Sequence, residues 1–510
     1  MPPHAFVRRS VVAASLLVLG ATSLPAQLIT PKTVPIHQGE QFGIYPSQWP
    51  SMGGVSIALV DTIGDPWANP AKATRLTSGS LQVMPFTHHA TAGGGRTLPV
   101  SILQTGGSYA GGALFSLQEV ERTNAAWNAP LSDRRASNQY FTGLLARRLG
   151  GGLSIGAGFS TADLRGVDGV SALYDGNDRV RQSGGSMDAR VGLTKEFNAG
   201  ATLELVGVHN RYKMTHDVHY PQQWRWPNDC ACPPWGPCPV APTPCTPVSV
   251  PERDEHHEDR SNISGVQAVF LTPKTAGGWR MGYMVTANRL SHPKLPDYQL
   301  PTVQSIPRDP GNTDAFNIGF GAVRAFGNST FGLDVIREPM TSRTWADAAR
   351  DTTGAGGVVI RQGEHTVDNR FKFSNSRINV GFAHDVPGAT DSATVFGFQF
   401  GVSMRSINYT LDQTNHITGL SRNQDEGWTE WSPMFALSLK SKSMSVTYSL
   451  SRTCSTRCIS LPFFGGGDDV SVTAPAPAAD PTVLAPPNGP LSFDGGSSGQ
   501  HRVMISIRLR

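Results

Sequence analysis

The strongest order in this chain is an alternation of apolar positions with small or polar ones. Phe396, Phe398, Phe400, Val402 and Met404 are separated by Gly397, Gln399, Gly401, Ser403 and Arg405. Met444, Val446, Tyr448 and Leu450 stand between Ser443, Ser445, Thr447, Ser449 and Ser451. Trp279, Met281, Tyr283, Val285 and Ala287 repeat the pattern, as do Leu153 to Phe159, Phe316 to Phe320 and Val503 to Leu509. Successive side chains of an extended chain point to opposite faces, so each run predicts a strand with one apolar and one polar face. The runs span roughly 9–14 residues, against about 5–6 in ordinary globular strands, and that is the length a tilted strand needs to cross a bilayer.

The connections alternate too. Short turns are predicted at 149–152, 197–200, 272–277, 326–329 and 440–443. Long connections are predicted at 122–137, 164–185, 214–262, 290–313, 339–368, 410–429 and 453–500. Tight turns at one end and long loops at the other mark a membrane barrel, and a soluble sandwich has no reason to sort its loops this way. The expected fold is all-β: a transmembrane antiparallel up-and-down β-barrel of about 14–16 strands over residues 79–510, with an even strand number. The count reaches sixteen if 79–86 is wall.

Residues 1–26 precede the alternating region and read as a secretory signal peptide. His4, Arg8 and Arg9 form its basic start, Val11 to Gly20 its apolar centre, and Leu24-Pro25-Ala26 a small-residue exit before Gln27. The apolar run is too short to span a bilayer, and the residues after Arg8-Arg9 fit Sec export better than the twin-arginine route. The expected location is the outer membrane of a Gram-negative-type bacterium.

Composition narrows the classes further. Hydrophobic residues make up 39% and charged residues 16% of the chain, which suits strands that are apolar on one face only. The net charge of +4 comes without a basic cluster, so no nucleic-acid partner is expected. The chain has no nucleophile elbow, no H-E-x-x-H and no phosphate-binding glycine loop before a helix, so neither catalysis nor a cofactor is expected.

Four cysteines, Cys230, Cys232, Cys238 and Cys245, cluster in the proline-rich stretch of 214–262, and Cys454 and Cys458 form a second group. The loop also holds His216, His219 and the run Asp254 to Asp259, which raises metal binding. The cysteine spacing matches no zinc motif, and exported thiols oxidise, so disulfides are the better reading, with three pairings open for the first four. The acidic-histidine run is expected to be a solvated loop. Residues 474–490 repeat proline and small residues, without the apolar content of a core. Arg280, Arg324, Arg405 and Arg508 fall on predicted lumenal faces. There they can pair with acids such as Asp334 to brace the barrel, or offer a site to a substrate carboxylate.

The stretch Met52 to Arg75, MGGVSIALVDTIGDPWANPAKATR, does not alternate. Gly53 and Gly54 permit close backbone approach, Asn69 before Pro70 is pushed away from helix, and Asn-Pro suits a reversal. Ile57, Leu59 and Ile63 offer apolar contact. Gly53, Gly54, Asp65, Trp67, Asn69, Pro70 and Ala71 together resemble the N-terminal signature of the FadL superfamily of outer-membrane barrels. That superfamily includes long-chain fatty acid transporters and PorV-type barrels of a secretion system. The resemblance implies that residues 27–78 hold a hatch inside the lumen, followed by the first wall strand. It also implies uptake of small hydrophobic molecules such as fatty acids, released sideways through an opening in the wall. The alternatives are a non-transporting PorV-like scaffold or secretion partner that binds protein at its outer loops, and a general porin. Outer-membrane lipid is the expected surrounding. Three features depart from the family: the chain ends in Arg510 and not an aromatic residue, it carries the Cys/Pro-rich stretch, and its strand count runs high.

Overall fold

The computed structural model describes residues 43–90, 93–122, 135–166, 178–225, 248–292, 294–296, 311–348, 351–387, 394–454 and 497–509. The predicted alternation is laid out in space as one closed antiparallel barrel of sixteen wall strands. In chain order, β1 is Ser80–Val83 continued as Phe86–Ala90. It is followed by β2 (Gly93–Gly106), β3 (Tyr109–Arg122), β4 (Arg135–Gly150) and β5 (Leu153–Leu164). Next come β6 (Arg179–Glu196), β7 (Thr202–Tyr220), β8 (Arg253–Leu271) and β9 (Trp279–His292, extended in register by Lys294–Pro296). Then follow β10 (Gly311–Phe326), β11 (Ser329–Asp347), β12 (His365–Pro387) and β13 (Val395–Asn415). The last three are β14 (Leu420–Lys440), β15 (Met444–Cys454) and β16 (Ser497–Arg508). Each strand pairs with the next, and β16 pairs back onto β1, with Ser80 opposite Arg508 and Phe86 opposite Arg502. Closure removes both sheet edges, as a spanning sheet requires. The interruption in β1 falls at Met84-Pro85; Pro85 has no N–H to donate, yet the register is the same on both sides.

The two faces of the wall differ as the alternation predicts. On β13, Phe400 is 53% exposed and Gln399 4%. Exposed Phe115, Phe141, Phe159, Val191, Phe270, Tyr283, Ile318 and Val335 continue the outer apolar belt around the barrel. Such a belt over a polar interior is the surface a barrel presents to hydrocarbon.

The strands outlast that belt. Stretches expected to be long loops are paired strand instead. Within 410–429 only four residues separate β13 from β14, and much of 339–368 belongs to β11 and β12. The run Asp254 to Asp259 is not a solvated loop but part of β8, paired with β7 from Met214 to His219. Histidines of the two strands make cross-strand contacts, His219 of β7 with Asp254 at 2.9 Å and His256 of β8 with Asp217 at 2.6 Å. Charged residues on the outer face place these extensions beyond the lipid, which is why period-two apolarity fades there.

Candidate functional site

Residues 43–79 do not join the wall. They lie against the face opposite the apolar belt, which in a closed barrel is the lumen. The local chain explains how. Asp61 accepts N–H groups from Gln48, Ile63 and Gly64 and the hydroxyl of Ser47, folding 47–64 onto itself. A one-turn helix, α1 (Asp65–Ala68), starts with Pro66 in its first turn. A 3-10 helix (Pro70–Arg75) follows, and the side chain of Asn69 caps it by accepting the Ala71 N–H at 3.2 Å. The reversal expected at Asn69-Pro70 is thus a cap followed by a proline at the first helical position, where its missing N–H costs nothing.

One half of the segment docks on β2 to β7. Trp67 is buried against Tyr45, the rings stacked at 6.0 Å, in a core with Leu103, Leu114, Tyr140 and Leu144. Arg190, itself bound to Asp188, reaches the Trp67 carbonyl at 3.3 Å. Asn69 Nδ2 donates to the Leu205 carbonyl at 3.3 Å. A buried ion network fixes the same half: Lys72 bridges Asp65 (2.9 Å) and Glu204 (3.0 Å), and Arg75 bridges Glu204 (2.7 Å) and Glu196 (3.1 Å). Burial drives the Asp65 carboxyl up to about 6 even though Lys72 opposes it. Burial also raises Asp61. For Lys72 burial works against the charge, but Asp65 and Glu204 outweigh it and hold the ammonium above its usual range.

The other half docks on β9 to β13, across the lumen. A Cβ at Gly381 or Gly401 would overlap the backbone of Met52 and Gly53, and one at Gly332 would meet Val55. These three glycines face each other in register, Gly332 with Gly381 and Gly381 with Gly401. Gly282 and Gly321 form another such pair, against Ile57. On the first side, Gly156 pairs with Gly192 beneath Asn69, Pro70 and Ala71. At these glycines the wall carries no side chain, which lets the backbone of the segment approach it closely. Polar wall residues hold its backbone: Asp334 accepts N–H groups from Ser56 (2.7 Å) and Ile57 (3.1 Å), Asn379 donates to the Gly54 carbonyl (3.0 Å), and Gln399 binds Ser51 and Gln48.

Above this contact, toward the long-loop end, the inward faces of β10 to β13 form cross-strand rows. The first holds Gly319, Ile336, Arg377 and Arg405, and the second Asn317, Glu338, Asn375 and Ile407. The third holds Ala315, Met340, Phe373 and Tyr409, and the fourth Thr313, Ser342, Phe371 and Leu411. Phe371, Phe373 and Tyr409 cluster with ring centroids 5.5–6.1 Å apart. Phe371 and Phe373 are half-buried, and Ile407, Tyr409 and Leu411 are buried. At the same height the outer face carries Arg343, Arg370 and Lys372, all exposed. The wall has inverted: apolar outside and polar inside within the belt, polar outside and apolar inside above it. The same holds on β6 and β7, where Val180, Val218 and Tyr220 cluster inward.

Of the arginines expected in the lumen, Arg405 is there, bound to Glu338 at 3.0 Å, with Arg377 at 3.5 Å from the same carboxylate. Arg280 also faces inward, reaching Thr202 at 3.4 Å beside the ion network. Arg324 does not. It shares the outer face of β10 with Phe316, Ile318 and Phe320 and lies over the rings of Trp279 (5.6 Å) and Phe326 (5.4 Å), at the rim next to a short turn. Aromatic girdles occupy that level, and an arginine there stacks on them with its charge in water. The Asp334 carboxylate is taken by the N-terminal segment and not by one of these arginines. Arg508 sits at the same end, donating to Ser78. Cys230, Cys232, Cys238, Cys245 and Cys458 lie outside the described residues, and Cys454 ends β15. Among the described residues no cluster of His, Cys, Asp and Glu is arranged to hold a metal.

Sequence reasoning missed Glu204, the wall glycines and the aromatic rows. Glycines recurring on the polar face of successive strands were the available signal for the second of these.

No family model matches the sequence, and no curated protein matches it. Solved structures do. A FadL homologue from Pseudomonas aeruginosa is 12% identical over 92% of this chain and 99% of its own, with a TM-score of 0.41. The toluene transporter TbuX of Ralstonia pickettii is 9% identical over 92% of this chain and 100% of its own, at 0.36. A bacterial polysaccharide outer membrane secretin is 7% identical over 85% and 99%, at 0.34. FadL-type barrels are thus among the structures this chain resembles, as residues 52–71 led us to expect.

Proposed function

We propose that this chain is an outer-membrane channel for the uptake of small hydrophobic molecules, with residues 43–78 as its lumenal hatch. The polarity inversion above the belt carries the reading. A wall whose outer face meets water gains nothing for its own solvation by turning Phe371, Phe373 and Tyr409 inward. What such a lining offers is an apolar surface for a molecule arriving from outside, since removing apolar area from water is favourable at about 25 cal/mol per Å². The rows then lead from that lining down to the docked hatch. The glycine contacts and the Asp334, Asn379 and Glu204 anchors hold the hatch across the lumen, which argues against a wide general porin. Passage requires the hatch to shift or the wall to part beside it.

The test is accumulation of a labelled monoaromatic hydrocarbon and of a labelled long-chain fatty acid by cells that lack such channels. Expression of the wild-type chain should speed accumulation of at least one of them, and Phe373→Asp should slow it. Equal rates with and without the wild-type chain would overturn the proposal.

A further inference from the structure

Two side chains in the second lumenal row are placed as if for something outside the protein. Asn317 on β10 and Asn375 on β12 flank Glu338 on β11. Asn375 is opposite Glu338 in the β11–β12 register, and the pairs Ala315–Met340 and Ile318–Arg337 set Asn317 opposite it on the other side. Both asparagines are 0% exposed, and neither the amide nitrogen nor the amide oxygen of either one has a hydrogen-bond partner. A buried amide left unpaired is costly, and each of these offers two donors and an acceptor. One row further out stand Met340, Phe373 and Tyr409.

The local charge is already balanced. The Glu338 carboxylate takes Arg405 at 3.0 Å and Arg377 at 3.5 Å, and Glu430 is buried on the neighbouring β14 at the level of Arg405. Two cations and two carboxylates leave no surplus positive charge for an anion. An anionic ligand reaching the asparagines would also meet Glu338 between them.

We infer that this row and the aromatic row above it form a selectivity site for hydrophobic molecules carrying an uncharged hydrogen-bonding group, such as a hydroxyl, a carbonyl or a carboxamide. The apolar body lies on Phe373 and Tyr409, and the neutral polar group reaches Asn375 or Asn317. The inference rests on the proposed passage of hydrophobic molecules and deepens it. It ranks neutral polar derivatives above both the bare hydrocarbon and the ionised acid.

Three ligands of nearly one shape separate the cases: 1-naphthamide, 1-methylnaphthalene and 1-naphthoate. Equilibrium binding is measured at pH 7.5 on the full chain in nanodiscs, with empty nanodiscs subtracted. The amide should bind about five- to tenfold tighter than either of the others, the yield of one or two good neutral hydrogen bonds. Asn375→Leu or Asn317→Leu should remove most of that preference, and Phe373→Ala should weaken all three ligands. Heat-modifiable gel mobility checks that each variant has folded. Naphthoate binding as tightly as the amide, or leucine variants that shift all three ligands alike, would overturn the assignment. If the three bind equally and Phe373→Ala weakens them all, the head-group inference falls and hydrophobic passage stands. If none binds above empty nanodiscs, both fall.

Discussion

The carboxylate of Asp334, on the lumenal face of β11, accepts the backbone N–H of Ser56 at 2.7 Å, and the neighbouring N–H of Ile57 at 3.1 Å. A wall strand thereby does for the hatch what a capping residue does for a helix: it satisfies donors that the irregular chain cannot satisfy itself. Asp334→Ala would leave the buried N–H of Ile57 unpaired, at about 1–3 kcal/mol, and remove the partner of the part-buried N–H of Ser56. Hydrogen exchange at residues 52–58 should accelerate accordingly, and the barrel in planar bilayers should leak ions where the wild-type chain is closed. Unchanged exchange would show that the hatch is held elsewhere.

The glycine rows predict a steric release. Valine at Gly401 or Gly381 suits a strand by propensity, so the wall should still fold and keep its heat-modifiable mobility. Its side chain would occupy the space now taken by the Met52–Gly53 backbone. Ion leak should therefore rise in Gly401→Val and Gly381→Val, whereas valine at Gln399, on the same inward face, is no comparable control, because Gln399 binds the hatch. Phe400→Val, on the lipid face, is the proper one and should stay closed.

Glu204 holds Lys72 and Arg75 together in a buried setting. Removing one partner of such a network leaves uncompensated charge, typically at about 3–5 kcal/mol. Glu204→Gln should loosen the 65–76 half of the hatch. Trypsin offers a direct readout, because Lys72 and Arg75 are its own target residues: cleavage there should be slow in the wild-type chain and fast in the variant.

The docked Asp65 carboxyl titrates near 6 because burial disfavours its charge. Released into water it would titrate near the ordinary value of about 4. Between those values the docked form binds more protons, so docking is strongest below the lower value and weakens as pH rises through the upper one, by at most about 3 kcal/mol. Exchange protection of residues 61–75, corrected for intrinsic rates, should fall from pH 4.5 to pH 7. Asp65→Asn should flatten that slope.

How much of this was legible in the sequence follows from where water and lipid meet the wall. Inside the belt, Phe396 to Met404 could be read directly, because lipid demands apolar side chains at every second position. Beyond the belt the outer face meets water, so Asp412 and Lys372 alternate with inward Leu411 and Phe371. That reversed pattern, rich in charge, looks like a loop. Arg324 was misplaced for a related reason: a charge on an apolar face is excluded in mid-belt but accepted at an aromatic rim. The reversal at Asn69-Pro70 and the close backbone approach at Gly53 could be read from the segment itself, but its wall partners could not. Glu204 is a lone acid in a strand, and only the barrel closure brings it to Lys72 and Arg75.

A channel of the proposed kind passes hydrophobic molecules and holds back sugars. Purified chain in proteoliposomes tests it directly, by comparing entry of a labelled hydrophobic molecule, trapped inside by a binding protein, with swelling in an isosmotic sugar. Hydrophobic entry should be faster than in protein-free vesicles and reduced by Phe373→Asp, with no swelling. Swelling at porin-like rates, or hydrophobic entry no faster than through lipid alone, would contradict it.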